Sequence, residues 1–469
     1  MLRRAFIFAF ICLFVSSAAT AHFPARAAQS GAAAEQPSFA ELEKFILEEI
    51  GRRNVPGAAV AVVSGDRVIF ARGLGVSNVE TGAPVTTDML FRLGSTTKMF
   101  VAAALVSLAE QGKVKLDEPA GKYVKGLNEK VGRVTAHQLL SHTAGIRDEA
   151  PMYGSADDAA LRNGVLAWKE DYLFTEPGRI ISYSNPGYWL AGAIIEEASG
   201  RPFADQMSEG LFKPLGMNST TFRPTMAMTY PLAQGHNASP GQKPAVIRPM
   251  ADNAATWPAG SMFSSVSDLS RFVIAFLNGG RVDGKQVLSE SLIAKISTPY
   301  AAVPTSPDNK YAYGLMTSNY RGVRVIEHGG SRVGYGSVIK LAPDQRFGVI
   351  VLANRSGVML DRVADKAMEL MLRLAPANEE AEKELPMSQS EMAGYVGLYA
   401  QGRVYYELFV KEGKLFGKQG TVEGQVKKIG DNRFVLIAQG GRQQFALVPG
   451  ENGKAEYLHT SLRSARRVE

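Results

Sequence analysis

The sequence predicts an α/β (α+β) protein in two parts: an antiparallel sheet flanked by helices with a helical region inserted into it, then a small C-terminal antiparallel β-barrel. Three observations carry this. Strand-like segments stand at both ends of the first 375 residues, with helical periodicity between them. A polar, Pro-containing stretch, "APANEEAEKELPMSQ", then interrupts the pattern as a linker would. Beyond it, short strand-like runs alternate with Gly- and Asn-rich turns.

Taken in order, "AAVAVVSGDRVIFARGLG" (58–75) reads as two strands around a Ser64-Gly65-Asp66 turn. An amphipathic helix follows over 96–111, with Gly112 as its stop. Further helices are predicted at 134–141 and 187–199, the second ending at Gly200. "SVSDLSRFVIAFLNGG" is another, with Ser267 or Asp268 near its cap and Gly279-Gly280 ending it. The pattern turns to strands with "VRVIEHGG", "YGSVIKLAP" and "FGVIVLAN", and the helix "DRVADKAMELMLRL" closes the section. Two strands, a helical middle, three strands and a helix describe a sheet assembled from both ends, over 38–375. After the linker (376–389), residues 390–469 form a hairpin around Glu412-Gly413, with turns at Gly430-Asp431-Asn432, Gly440-Gly441 and Gly450-Glu451-Asn452-Gly453. That spacing predicts a small antiparallel barrel or sandwich. No internal repeat occurs.

The N-terminus narrows the compartment. Arg3 and Arg4 precede the apolar run "AFIFAFICLFV" and the small residues "SSAATA", the layout of a secretory signal peptide (1–21). Ala19-Thr20-Ala21 is the preferred cleavage site and Ala25-Arg26-Ala27 the second choice; an uncleaved anchor is the alternative. No other run is apolar and long enough to span a membrane. The only cysteine, Cys12, lies inside this segment, so the processed chain is expected to have no disulfide, thiol nucleophile or thiolate metal site. A periplasmic or secreted bacterial protein is expected. Two of the +7 net charges belong to Arg3 and Arg4, and the rest are scattered, apart from Arg463, Arg466 and Arg467. No aromatic-rich basic module points to nucleic acid.

Within the helix opening at "GSTTKMF", Ser95 and Lys98 stand three residues apart, one turn along the same face. The helix N-terminus offers positive partial charge and free N–H groups beside Ser95, and a partly buried Lys98 would have a lowered pKa. Taken alone, the pair reads equally as a capping serine and a surface lysine. Tyr183-Ser184-Asn185 sits in a loop bracketed by Gly178 and Pro186-Gly187, leading into a helix. A phenol there can shuttle a proton, and Asn185 can bind a substrate amide; a core tyrosine and a turn asparagine are the bland alternative. His328-Gly329-Gly330 starts a strand, where consecutive glycines allow close approach of substrate to backbone. The Ser331 N–H, facing that of Ser95, would complete an oxyanion hole, with His328 a polar neighbour of substrate or a structural histidine. His137, His142, His236, His328 and His459 show no metal-ligand spacing, and His142 is expected to be structural. No Gly-x-Ser-x-Gly elbow occurs, which argues against an α/β-hydrolase.

Together, the order Ser-x-x-Lys, Tyr-x-Asn, His-Gly-Gly resembles the serine β-lactamase and penicillin-binding-protein superfamily. The likeness is to the branch holding class C β-lactamases, D-aminopeptidases and β-lactamase-like esterases, and it covers roughly residues 40–375. "TAHQLLSHTAGI", "LFKPLGMNSTTF", "PAGSMFSSVSDLSRF", "YAYGLM" and "VIVLANRSG" extend it. The resemblance implies Ser95 as acylated nucleophile, Lys98 as its base, Tyr183 as proton relay, and Asn185 as holder of the substrate amide. Gly330 and Ser331 line the substrate path. His328 departs from the family's usual lysine, which binds a substrate carboxylate; a mostly neutral histidine makes efficient β-lactam hydrolysis doubtful. The C-terminal domain resembles the lipocalin-like barrels of some members, where it covers the cleft or builds an oligomer. In so short a barrel, packing is expected rather than a ligand cavity.

The sequence therefore predicts a cofactor-free serine hydrolase acting through an acyl-enzyme on an amide or ester. A D-aminopeptidase or D-Ala carboxypeptidase type is favoured, with a small peptide, ester or peptidoglycan-derived substrate. A carboxylesterase, a weak β-lactamase and a non-catalytic acylated sensor or scaffold are the alternatives.

Overall fold

The computed structural model describes residues 39–377 and 383–468. The signal-peptide reading of 1–21, with Cys12, and part of the predicted linker lie outside the described residues. Eight antiparallel strands form the main sheet: β1 Gly57–Ser64, β2 Arg67–Gly75, β3 Ala301–Val303, β4 Ser306–Tyr311, β5 Met316–Tyr320, β6 Val323–Arg332, β7 Tyr335–Ala342 and β8 Phe347–Ala353. Their order is β2-β1-β8-β7-β6-β5-β4-β3. β1 pairs with β8 from Ala58↔Ala353 to Ser64↔Phe347, so the two ends of the domain join in one sheet, one strand in from its β2 edge. Strands β3, β4 and β5 were not predicted; β4, the polar "SPDNKY", carries no clear alternation.

Both faces of the sheet are covered. Along β1, Ala59, Ala61 and Val63 point into one core and Ala58, Val60 and Val62 into the other. The second face is closed by α1 (Ala40–Arg52), which sequence reading missed. Its Leu42, Ile46 and Ile50 recur every fourth residue and are buried against the sheet. Each buried side chain of this kind contributes roughly 1.5–3 kcal/mol. The first face carries α2 (Thr97–Glu110), α3 (Ala136–Leu140), α4 (Asn185–Ser199) and α5 (Val266–Leu277), while α6 (Asp361–Met371) joins α1 on the second.

One local expectation is corrected. α2 is not amphipathic: every residue from Thr97 to Val106 is buried, because the helix lies inside the helical layer rather than on its surface. The cap of α5 is Ser265, whose side chain accepts from the Asp268 N–H, so Ser267 and Asp268 stand in the first turn, near the cap as predicted. Gly200 ends α4 in the left-handed conformation (φ 69°) as predicted.

The C-terminal part is a closed antiparallel barrel of β9 (Gly397–Gln401), β10 (Val404–Lys411), β11 (Lys414–Gln419), β12 (Val422–Gly430), β13 (Arg433–Ala438), β14 (Gly441–Pro449), β15 (Ala455–Thr460) and β16 (Arg463–Arg467). It is preceded by α7 (Gln389–Tyr395), held by a capping box between Ser388 and Glu391. Within the predicted linker, Leu385 donates its N–H to the Lys428 carbonyl (2.8 Å), so this end is tied to the barrel. The interior is filled by Tyr399, Leu408, Leu415, Phe434 and Phe445, and the cavity beside them is only about 20 Å³. Among the described residues no helix is long and apolar enough to cross a membrane, and no group of three acidic, His or Cys side chains is placed to hold a metal.

Candidate active site

Ser95 occupies a 3₁₀ turn (Gly94–Thr96) just before α2, rather than the first turn of the α-helix itself. The turn is fixed by its neighbours. Thr96 Oγ1 donates to the Leu93 carbonyl (3.0 Å) and meets Ser337 Oγ of β7 at 2.9 Å. Gly94 has φ 59°, and a Cβ there would fall 2.6 Å from the Ser331 nitrogen. Gly330 is tighter still: a Cβ would lie 1.9 Å from the Leu93 carbonyl oxygen and 3.0 Å from the Ser95 nitrogen. The two glycines thus bring the β6 backbone directly against the Ser95 turn.

Lys98, one turn into the helix, is completely buried. Its Nζ lies 3.3 Å from Ser95 Oγ, 2.8 Å from Asn185 Oδ1 and 2.6 Å from the Ala259 carbonyl oxygen. Burial drives its pKa well below the ordinary lysine value; Asp148 opposes this, and Arg463 and Arg332 add to it. A neutral amine has two N–H groups and one lone pair. The two carbonyl oxygens match the N–H groups, leaving the lone pair for the Ser95 hydroxyl. Asp148 fixes the orientation of Asn185: its Oδ1 accepts from the Asn185 backbone N–H (2.8 Å) and from Nδ2 (2.9 Å), which turns Oδ1 of the amide toward Lys98.

Tyr183 enters just before α4, whose cap is Ser184, with Pro186 in the first turn. Lys98 Nζ lies 4.7 Å from the Tyr183 ring centre. Burial raises the phenol pKa, and the nearby Ser95 hydroxyl offsets only part of that rise, so Tyr183 carries its proton. Its buried hydroxyl makes no well-formed hydrogen bond. His328 is buried on β6, with Nδ1 2.6 Å from the Gly329 carbonyl and Nε2 3.0 Å from the Tyr311 hydroxyl. Burial, then Lys98, pulls its pKa down to about 3. The ring is neutral, and the partners assign the proton to Nδ1. His142 takes a structural position: its Nδ1 accepts the Ser184 N–H (3.2 Å) and its ring packs 4.2 Å from that of Tyr183.

All seven predicted site residues converge. Ser95, Tyr183, Asn185, His328 and Ser331 line a cleft of about 510 Å³, while Lys98 and Gly330 lie immediately behind its wall.

Residues 39–371 match the Beta-lactamase family. The chain belongs to that family. Penicillin-binding protein 4 of Amycolatopsis lactamdurans is 30% identical over 333 residues, covering 69% of this chain and 86% of that protein. Protein flp of Staphylococcus aureus (strain N315) is 27% identical over 340 residues; the match covers 69% of this chain and spans only 65% of Protein flp. Among solved structures, SurE superposes with a TM-score of 0.75 at 24% identity, over 91% of this chain and 98% of SurE, which shows the shared fold. D-alanine carboxypeptidase AmpC from Burkholderia cenocepacia gives a TM-score of 0.58 at 26% identity, covering 70% of this chain and 97% of that one.

On this β-lactamase scaffold the barrel contributes to the cleft. Its β15–β16 turn, Ser461–Arg463, lines one side. The Tyr183 N–H donates to the Leu462 carbonyl (2.6 Å), and Gln401 Nε2 and the Ser464 N–H both donate to Ser182 Oγ. Arg463 donates through Nε to Asp148 Oδ2 (2.7 Å) and stands 5.1 Å from the Tyr183 ring centre. Asp148, Tyr311, Arg332 and Arg463 were not singled out as site residues by sequence reading. Asp148 closely follows "SHTAGI", a signal that was available; Arg463 is more than 300 positions away in the chain from its partner and carried none.

Proposed function

We propose that this β-lactamase-family chain is a serine hydrolase that acylates Ser95, cleaving an amide or ester, and that its substrate is a peptide of the kind taken by D-aminopeptidases and D-Ala carboxypeptidases. One observation carries the reading: a fully buried Lys98 whose Nζ lies 3.3 Å from Ser95 Oγ, at the edge of an open cleft. In the reaction, the Ser95 proton passes to Lys98 Nζ as Oγ attacks the substrate carbonyl. The N–H groups of Ser95 and Ser331 hold the oxyanion. Tyr183, a protonated phenol, and Lys98 return a proton to the leaving group, Asn185 holds the substrate amide, and water releases the acyl chain. The relatives named penicillin-binding protein and D-alanine carboxypeptidase support the peptide class. Neutral His328 supplies no fixed charge at the position where β-lactamases carry a lysine, which disfavours efficient β-lactam turnover. The leader-like residues 1–21 favour an exported enzyme.

The test is hydrolysis of a p-nitrophenyl ester, D-alanine p-nitroanilide and nitrocefin by wild type and Ser95→Ala. Turnover of the anilide or ester, abolished in Ser95→Ala, is expected. Equal inertness of both proteins refutes the hydrolase reading, and nitrocefin as the best substrate refutes the peptide assignment.

A further inference from the structure

One cation of the cleft has no part in the chemistry above. Arg332 ends β6, directly after Ser331, and lines the cleft. Its Nε and Nη2 are buried without a partner, and among the described residues its side chain makes no hydrogen bond or ion pair. Its surroundings do not neutralise it. The neighbouring guanidinium, Arg92, is fully buried and donates through Nη1 to the Ala251 carbonyl and through Nη2 to Asp252 Oδ1 (3.1 Å). Trp257 Nε1 donates to the same oxygen (3.1 Å). Two guanidinium groups therefore share the influence of one carboxylate, leaving one positive charge in excess at the cleft wall. Burial and Arg92 together pull the Arg332 pKa down to about 9, so the group stays charged at neutral pH while lacking an anion.

The other charged positions do not supply this recognition. His328 is neutral, and Arg463 is already engaged by Asp148. An isolated buried guanidinium with unpaired N–H groups fits a singly charged, planar partner better than a dianion, because one carboxylate cancels one excess charge and matches the guanidinium fork. We propose that Arg332 is a specificity residue of the cleft that holds a carboxylate carried by the substrate. The inference rests on the hydrolase reading for its substrate but not for its binding, and the two fail separately.

The experiment compares matched esters. Mono-p-nitrophenyl glutarate against p-nitrophenyl valerate places the charge in the acyl half; 3-acetoxybenzoate against phenyl acetate places it in the leaving half. For wild type, Arg332→Lys and Arg332→Gln, the quantity read is the ratio of kcat/KM for the charged ester to that for its neutral counterpart. A fall of tenfold or more in Arg332→Gln for one pair, mostly through KM and partly restored by lysine, is expected and locates the carboxylate. The wild-type preference should also decline as pH rises through about 9. A merely structural arginine would lower both esters together, together with Tm; an unchanged ratio in both pairs overturns the proposal. If no ester is hydrolysed, the hydrolase reading fails, and binding of mono-p-nitrophenyl glutarate to Ser95→Ala decides Arg332 through quenching of Trp189, which lines the cleft. Binding lost in the Ser95→Ala, Arg332→Gln double variant supports the subsite, and no binding, or binding that survives the second substitution, overturns it.

Discussion

Replacing Lys98 by methionine isolates the role of its amine. The substitution keeps a long unbranched side chain in a fully buried position and removes contacts to Ser95 Oγ (3.3 Å), Asn185 Oδ1 (2.8 Å) and the Ala259 carbonyl (2.6 Å). A positioned general base is worth about 10²–10⁴ in rate, or roughly 2.7–5.5 kcal/mol of barrier. The structural consequence has two opposing parts. Two carbonyl acceptors lose a donor, at about 1–3 kcal/mol each. Against this, a buried amine that resists protonation is exchanged for an apolar group. Asn185 keeps both of its bonds to Asp148, so the site geometry should survive. The expected result is a loss of 100-fold or more in p-nitrophenyl ester kcat/KM, slowed labelling by a fluorophosphonate, and a modest change in Tm. The acidic limb of the wild-type pH–rate profile, set by deprotonation of Lys98, should disappear with the amine. Retention of more than a tenth of the activity, with the same acidic limb, would refute the assignment of Lys98 as base.

Gly330→Ala should cost more than about 100-fold in kcat, because its Cβ must displace the Leu93 carbonyl and separate β6 from the Ser95 turn; near-native circular dichroism alongside lost turnover would check it. Arg463→Ala removes the barrel's ion pair to Asp148 while Asn185 stays bonded to the other oxygen, so kcat/KM should fall about tenfold, with faster hydrogen exchange around Leu462. His459, buried between Ser464 Oγ and the Ser461 carbonyl, has its pKa lowered to about 4 from an ordinary 6.5. The unfolded chain therefore takes up a proton first as pH falls. The stabilisation is complete above pH 6.5 and is lost as pH drops toward 4, on the order of 3 kcal/mol in all. Urea unfolding of wild type and His459→Gln between pH 7.5 and 4.5 should show the smaller pH dependence in the variant.

Much of the site was legible because its chemistry is written locally. Ser95 and Lys98 share one helical turn, Tyr183 and Asn185 flank a cap, and His328, Gly330 and Ser331 sit on one strand, so short motifs named seven residues that converge on the cleft, though not Arg332 or Arg463, which also line it. The sheet followed from short apolar runs bounded by turn residues, such as Ala58–Val63 before Ser64-Gly65-Asp66, and the barrel from turn spacing. The amphipathic reading of α2 failed because local polarity at Thr97 and Lys98 says nothing of how many layers cover a helix. The strand "SPDNKY", next to the edge, has no buried alternation to announce it.

The sequence by itself thus determined which groups could do chemistry and the order in which the chain supplies them. Tertiary structure decided their state. Whether Lys98 is a surface cation or a neutral base depends on burial, and whether His328 titrates depends on what covers it. The pairing of Arg463 with Asp148 joins residues far apart in the chain, and the isolation of Arg332 beside Arg92 is likewise a fact of packing. Desolvation and charge–charge interaction depend on distance in space, which sequence spacing encodes only within a turn or a strand.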